Sequence, residues 1–293
     1  MYEKILVPLD GSDLCELVLP YVEELGERLG SEITLLHVCP PKLGPYSHKH
    51  EVYIEHMAQV VKKQLKGEGR VEAVLLAGEP NKEIIEYAKR EDISLIAMMT
   101  HGRSGIKRWV LGSTVDKVTR ETGGSLLIIR AKAAPAVREK GILNRVLIPL
   151  DGSKLAEATL PYIEELMAEV TTKDAEVVLL KIIPPRYYVP EAREIGELAY
   201  TEEQIEQLKT EAKAYLEKAG SGLKNKRFST RFEVVVGDAG EEIIKFAGKI
   251  NANLTAMSTH GYSDSAFSDL GSVANRVLHH GDTPLLLVKP AEA

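Results

Sequence analysis

The sequence predicts two α/β domains in tandem, each built on a parallel sheet with helices on both faces. Three observations lead there. The chain repeats itself once. Each copy alternates short apolar runs with amphipathic stretches. In both copies the fourth apolar run opens into the same glycine-bounded loop. A length of 293 residues also suits two domains better than one.

The repeat is read residue by residue. KILVPLDGS at 4–12 returns as RVLIPLDGS at 145–153, displaced by 141 positions. Leu19-Pro20-Tyr21 with Glu23-Glu24-Leu25 returns as Leu160-Pro161-Tyr162 with Glu164-Glu165-Leu166 at the same displacement. Leu35-Leu36-His37-Val38 answers Leu179-Leu180-Lys181-Ile182, and Gly78 and Gly112 answer Gly237 and Gly271. The displacement grows from 144 to 159 across that interval, so the second copy carries about 15 extra residues within 184–231. A period this long marks a duplicated domain, since solenoid arrays repeat every ~20–50 residues.

In the first copy the apolar runs 5–9, 33–38, 71–77, 93–99 and 126–130 read as strands. Helical periodicity falls at about 13–29, 48–66, 80–90 and 113–122. The second copy's strands are 146–150, 177–183, 232–236, 254–258 and 285–289. Strands that are apolar throughout, with helices between them, imply a parallel sheet covered on both faces. Pro20 and Pro161 lie inside helical patterns and predict a kink or a late helix start. The segment 131–144 lacks apolar periodicity and contains a proline, so it reads as the connection. The domains are therefore placed at 1–132 and 145–293, with a linker at 133–144. Residues 48–66 and 186–226 are polar and charged and read as helical, and the run 200–218, rich in Glu and Lys at helical spacing, reads as covering a sheet edge or reaching a partner protein.

Composition narrows the function. Hydrophobic residues make up 44% and charged residues 27%, as in a soluble globular protein with a real core. A net charge of −6 and 5% aromatics argue against a nucleic-acid surface. Cys15 and Cys39 form neither a zinc-like spacing nor a disulfide framework, which suits a reducing cytoplasm. The start of the chain runs straight into a strand with no signal peptide, and no apolar run nears the ~20 residues that span a bilayer. The expectation is a cytoplasmic protein, away from membranes.

The loop that both copies share is HGRSGIKRWVLGS at 101–113 and HGYSDSAFSDLGS at 260–272. A strand, a glycine loop, a second glycine and a helix start form a phosphate cradle. Glycines admit the anion to the backbone, and the first N–H groups of a helix are unpaired donors at the positive end of its dipole. The same pattern alone also fits an ordinary strand-to-helix loop. Ser113 and Asp116 have N-cap and N3 spacing and mark the expected helix start. Asp10 ends the first strand, where an open parallel sheet places its ligands. Its carboxylate suits ribose hydroxyls or an adenine amino group; Asp10-Gly11-Ser12 by itself also reads as a turn plus N-cap. His48, His50 and His56 gather near one helix start, but no Cys or paired carboxylates complete a ligand set there, so no metal site is expected.

ILVPLDGS at 5–12, LLHV at 35–38, AGEP at 77–80 and the HG-x9-GS loop resemble the universal stress protein family. The resemblance covers nearly the whole chain, as a tandem pair. It implies an adenine nucleotide alpha hydrolase-like α/β fold, doubly wound, with five parallel strands in the order 3-2-1-4-5. It also implies that the two last strands pair antiparallel, giving an intramolecular pseudo-dimer on which a homo-oligomer would be built.

Carried over by position, Pro8, Leu9 and Asp10 would line an adenosine site, with Val38 against the base. Met98 and Met99 would end the fourth strand, and Gly102, Arg103, Gly112, Ser113 and Thr114 would hold ribose and phosphates. The second copy offers Leu150, Asp151, Ile182, Gly261, Gly271, Ser272 and Val273. ATP-binding members carry one more glycine three residues before the loop glycine, where this chain has Met99 and Ser258. The implied ligand is ATP, with Mg or Mn, or another adenine nucleotide.

No Ser-His-Asp or Cys-His arrangement is visible, and no lysine holds a Walker A position. His101 and His260 read as loop anchors rather than bases. At most, slow ATP hydrolysis is implied. The function expected is a stress-response or signalling module; the alternative is a protein-interaction scaffold with empty crevices. The first window carries Arg103, Lys107 and Arg108, and the second Asp264 and Asp269, so the first copy is expected to bind a triphosphate better.

Overall fold

The computed structural model describes residues 2–39, 48–65, 70–100, 111–130, 141–168, 174–188, 197–223, 227–260 and 270–289. The first copy runs β1 (Lys4–Pro8), α1 (Asp13–Glu16), α2 (Leu19–Leu29), β2 (Glu32–Cys39) and α3 (His48–Gln64). It continues with β3 (Val71–Ala77), α4 (Pro80–Arg90), β4 (Leu95–Met99), α5 (Ser113–Glu121) and β5 (Ser125–Ile129). The second copy opens with β6 (Arg145–Pro149), α6 (Lys154–Glu157), α7 (Thr159–Ala168) and β7 (Glu176–Ile183). A short ribbon, β8 (Arg186–Tyr188) with β9 (Glu197–Ala199), precedes α8 (Glu202–Ala219). Then come β10 (Ser229–Val236), α9 (Ala239–Lys249), β11 (Leu254–Ser258), α10 (Ser272–His280) and β12 (Leu285–Val288).

The main strands form one ten-stranded sheet, ordered β10-β7-β6-β11-β12-β5-β4-β1-β2-β3. Each half has the order 3-2-1-4-5 and is parallel throughout. The halves meet antiparallel, with Leu285 opposite Ile128, Leu286 opposite Leu127 and Leu287 opposite Leu126. Because β4, β5, β11 and β12 are buried along their whole length, alternate residues feed two cores. Ile5, Val7, Leu35 and Met99 belong to the core on one face. Leu6, Leu36, Met98 and Leu126 belong to the core on the other. The seam also exchanges cations. Arg130 donates to the carbonyls of Val277 (3.0 Å) and Leu278 at the end of α10, and Lys289 donates to Thr122 O (2.7 Å) after α5. Burial lowers the Arg130 pKa to about 10.

Pro20 sits in the first turn of α2, which starts two residues after α1 ends, so the proline takes the position that needs no N–H partner. Two expectations need correcting. The cap of α5 is Gly112, with Ser113 its first helical residue. A Cβ at Gly112 would stand 3.0 Å from Thr100 O, so the close approach, rather than side-chain capping, fixes the helix start. The insertion is also not helical throughout, since β8 and β9 pair antiparallel before α8 begins. Three-residue strands are too short to display a period of two. The start of α8 was legible and passed over: Thr201 and Gln204 form a reciprocal capping box.

Candidate functional site

With β4 paired beside β1, the ends of both strands open onto one crevice in the first copy, enclosing about 900 Å³ with its mouth. Pro8, Leu9 and Asp10 form one wall, and Met98, Met99 and Thr100 the next. Leu36 and Val38 come from β2, Pro80 and Ile84 from α4, and Gly112, Ser113 and Thr114 from the start of α5. The second copy repeats the arrangement around about 620 Å³ with Leu150, Asp151, Ile182, Gly271, Ser272 and Val273. Every candidate residue within the described part of either copy therefore reaches its own crevice. Gly102, Arg103, Gly261 and the charged residues of the two windows lie outside the described residues. Leu36, Ile84 and Cys15 were missed. Leu36 could have been found, since it is two residues from Val38 and shares its face of the strand.

The two ends of each loop are tied identically. Gly112 N–H donates to Thr100 O (3.0 Å), and Gly271 N–H donates to Thr259 O (2.8 Å). Both helices start at a glycine N-cap with no side-chain acceptor, which leaves first-turn N–H groups for a ligand in the crevice. The Asp10 carboxylate accepts from Ser12 N–H (3.0 Å) and O–H (2.6 Å), while Ser12 caps α1. Asp10 thus holds its own turn and lines the crevice, combining both readings of the Asp-Gly-Ser segment. Asp151 does the same more simply, accepting from Ser153 N–H at 2.8 Å.

At the position of the absent motif glycine the copies part. Met99 belongs to the core on the face away from α4 and α5, whereas Met98 belongs to the core under those helices. Ser258 donates instead to the carbonyl of His260, whose ring Nδ1 lies 3.1 Å from Thr259 Oγ. Cys15 sits buried as a thiol. Burial first, and the Asp10 charge next, push its thiol up to about 12, and the sulfur donates to Pro8 O at 3.4 Å. His48 and His56 are exposed on α3, but His50 turns to β2 and groups with His37 and Cys39, a cluster the sequence reading did not assemble.

Known proteins share this frame. The model of the universal stress protein family matches residues 1–130 and again 143–289. The universal stress protein YxiE of Bacillus subtilis is 30% identical over 148 residues, 44% of this chain and 100% of its own length. The universal stress protein MJ0577 of Methanocaldococcus jannaschii is 26% identical over 157 residues, 45% of this chain and 97% of its own. A solved universal stress protein from Archaeoglobus fulgidus matches end to end, covering 99% of this chain and 100% of its own. Its TM-score is 0.69 at 20% identity, a likeness of fold. Relatives of single-copy length thus match about half of this chain, as a duplicated sequence requires. With two family matches on a shared ten-stranded sheet, the chain belongs to the universal stress protein family.

Proposed function

We propose that the chain is a stress-response or signalling protein that binds ATP or a related adenine nucleotide in the β1/β4 crevices, the first copy more tightly. The observation that carries this is convergence: strand ends, an aspartate and an uncapped helix N-terminus meet around one crevice in each copy. In this reading Val38 and Leu36 lie against the base, and Asp10 takes a ribose hydroxyl or the adenine amino group. Ser113, Thr114 and the first N–H groups of α5 take phosphate, with Gly102 and Arg103 assigned the same task by position and Mg or Mn accompanying the triphosphate. Leu150, Asp151, Ile182, Gly271, Ser272 and Val273 play the matching parts in the second copy, with Gly261 at its loop. The domain limits proposed are 1–132 and 145–293. Among the described residues, no helix is long and apolar enough to cross a membrane.

Mass spectrometry of nucleotide released on denaturation, with calorimetry of ATP binding in magnesium, tests the reading. Adenine nucleotide carried through purification, or saturable ATP binding, is the expected result. A protein that releases none and shows no binding at millimolar ATP would be a scaffold instead.

A further inference from the structure

We infer that His37, Cys39 and His50 form a binding site for a borderline-soft divalent cation, zinc by its chemistry, on the sheet face opposite the first crevice. His37 and Cys39 are two apart on β2 and so share one face, and His50 reaches them from the first turn of α3. One ligand atom from each lies within 4.8 Å of the other two. Cys39 and His37 are buried and His50 is half-buried.

His37 is already oriented as a ligand. His37 Nδ1 lies 2.7 Å from Leu9 O, and a carbonyl only accepts, so Nδ1 carries the proton. His37 Nε2 therefore accepts from His50 Nδ1–H at 2.7 Å, and this imidazole pair opens when a cation takes the Nε2 lone pair. An imidazole that donates its outer N–H to a backbone carbonyl and turns its bare nitrogen inward has the outer hydrogen bond typical of metal-binding histidine. Tyr53 packs edge-on to His37 at 5.6 Å, and the two imidazoles lie 4.8 Å apart at 22°. Zinc bonds of about 2.0–2.1 Å to nitrogen and about 2.3 Å to sulfur place tetrahedral ligands roughly 3.3–3.8 Å apart. The present separations, from 2.7 Å between the two ring nitrogens up to 4.8 Å, lie within about an ångström of that range. On binding, the His50 proton moves from Nδ1 to Nε2, the Cys39 S–H bond gives way to an S–Zn bond, and the thiol proton leaves to solvent. The fourth position takes water.

The second copy supplies an internal comparison. Tyr53 donates to Glu16 at 3.1 Å, and Tyr215 donates to Glu157 at 2.9 Å, which aligns α3 with α8. In that alignment Lys181, Ile183 and Ala212 stand for His37, Cys39 and His50. All three donors are present in one copy and all three are replaced in the other. Lys181 Nζ donates to Asp151 O at 2.8 Å and sits 4.9 Å over the Tyr215 ring, so the second copy places an ammonium there. Zinc with one thiolate carries the same net charge as that ammonium, whereas cuprous ion with one thiolate carries none.

Cobalt titrated into the full-length chain, after stripping with a chelator, tests the site. The expected result is about one tight equivalent per chain, with a thiolate-to-cobalt charge-transfer absorption that zinc displaces. Cys39→Ser abolishes that absorption and Cys15→Ser keeps it. His50→Ala, which copies the second domain's arrangement, weakens binding ~100-fold or more while the metal-free chain still unfolds in one cooperative transition. Should Cys39→Ser fail to fold, His50→Ala decides alone. Absence of the absorption in the wild-type chain, its survival in Cys39→Ser, or unchanged affinity in His50→Ala overturns the assignment.

Discussion

The two copies agree in their frame down to single hydrogen bonds and differ in the groups placed on it. The agreement covers the loop ties at Gly112 and Gly271, the Tyr53–Glu16 and Tyr215–Glu157 bonds, and the seam cations Arg130 and Lys289. The differences are His37 against Lys181, Met99 against Ser258, and a basic window against an acidic one. Apolar burial and close backbone approaches fix the frame, and these tolerate little change. The polar groups at the strand ends and loops are where the two copies differ.

The most damaging way to break the comparison is at the seam both copies share. Leu286→Asp places an unpaired charge opposite Leu127 among fully buried neighbours. It is expected to cost more than ~4 kcal/mol in urea unfolding, and to impair both halves together. A loss below ~1 kcal/mol would show that the halves stand independently. Asp10→Ala sharpens the comparison next. Losing a hydrogen bond to a charged group costs about 1.5–3 kcal/mol, or one to two decades in affinity, for adenosine and ATP alike. Asp151→Ala should do less to total ATP binding. Adenosine affinity unchanged by Asp10→Ala, measured by calorimetry, removes that residue from the base or ribose. The smallest effect belongs to Tyr53→Phe and Tyr215→Phe. Each removes a part-buried hydrogen bond to a glutamate, for roughly 1–2 kcal/mol of stability apiece. The Tyr53→Phe loss should exceed that of Tyr215→Phe only when the histidine–cysteine cluster is metal-loaded.

Much of this was legible in the sequence because apolar runs and glycines carry position-specific demands. The ten main strands, the fresh start of α2 with Pro20 in its first turn, and the crevice-lining Asp10, Val38 and Ser113 all follow from such demands. The rest depends on tertiary proximity. Ser113 has a capping side chain, but the 3.0 Å approach of Thr100 O at Gly112 moves the cap back by one residue. The β8–β9 ribbon is too short to show its period. His37 and Cys39 share a strand face, yet nothing in the spacing says that α3 brings His50 over them.

The central claim is that one frame serves two unequal sites. Titrating ATP into the whole chain and into Gly112→Asp and Gly271→Asp variants, with and without magnesium, tests it most directly. At Gly112 a new side chain meets the close approach of Thr100 O, and at either glycine a carboxylate would face the proposed triphosphate. Two unit charges 4 Å apart interact by about 4 kcal/mol at an effective dielectric of 20, before screening reduces the difference to one or two decades. Without magnesium, Gly112→Asp should abolish the tight phase and Gly271→Asp leave it intact, while magnesium narrows the gap by bridging Asp264 or Asp269 to phosphate. Binding lost in Gly271→Asp and kept in Gly112→Asp would contradict the account.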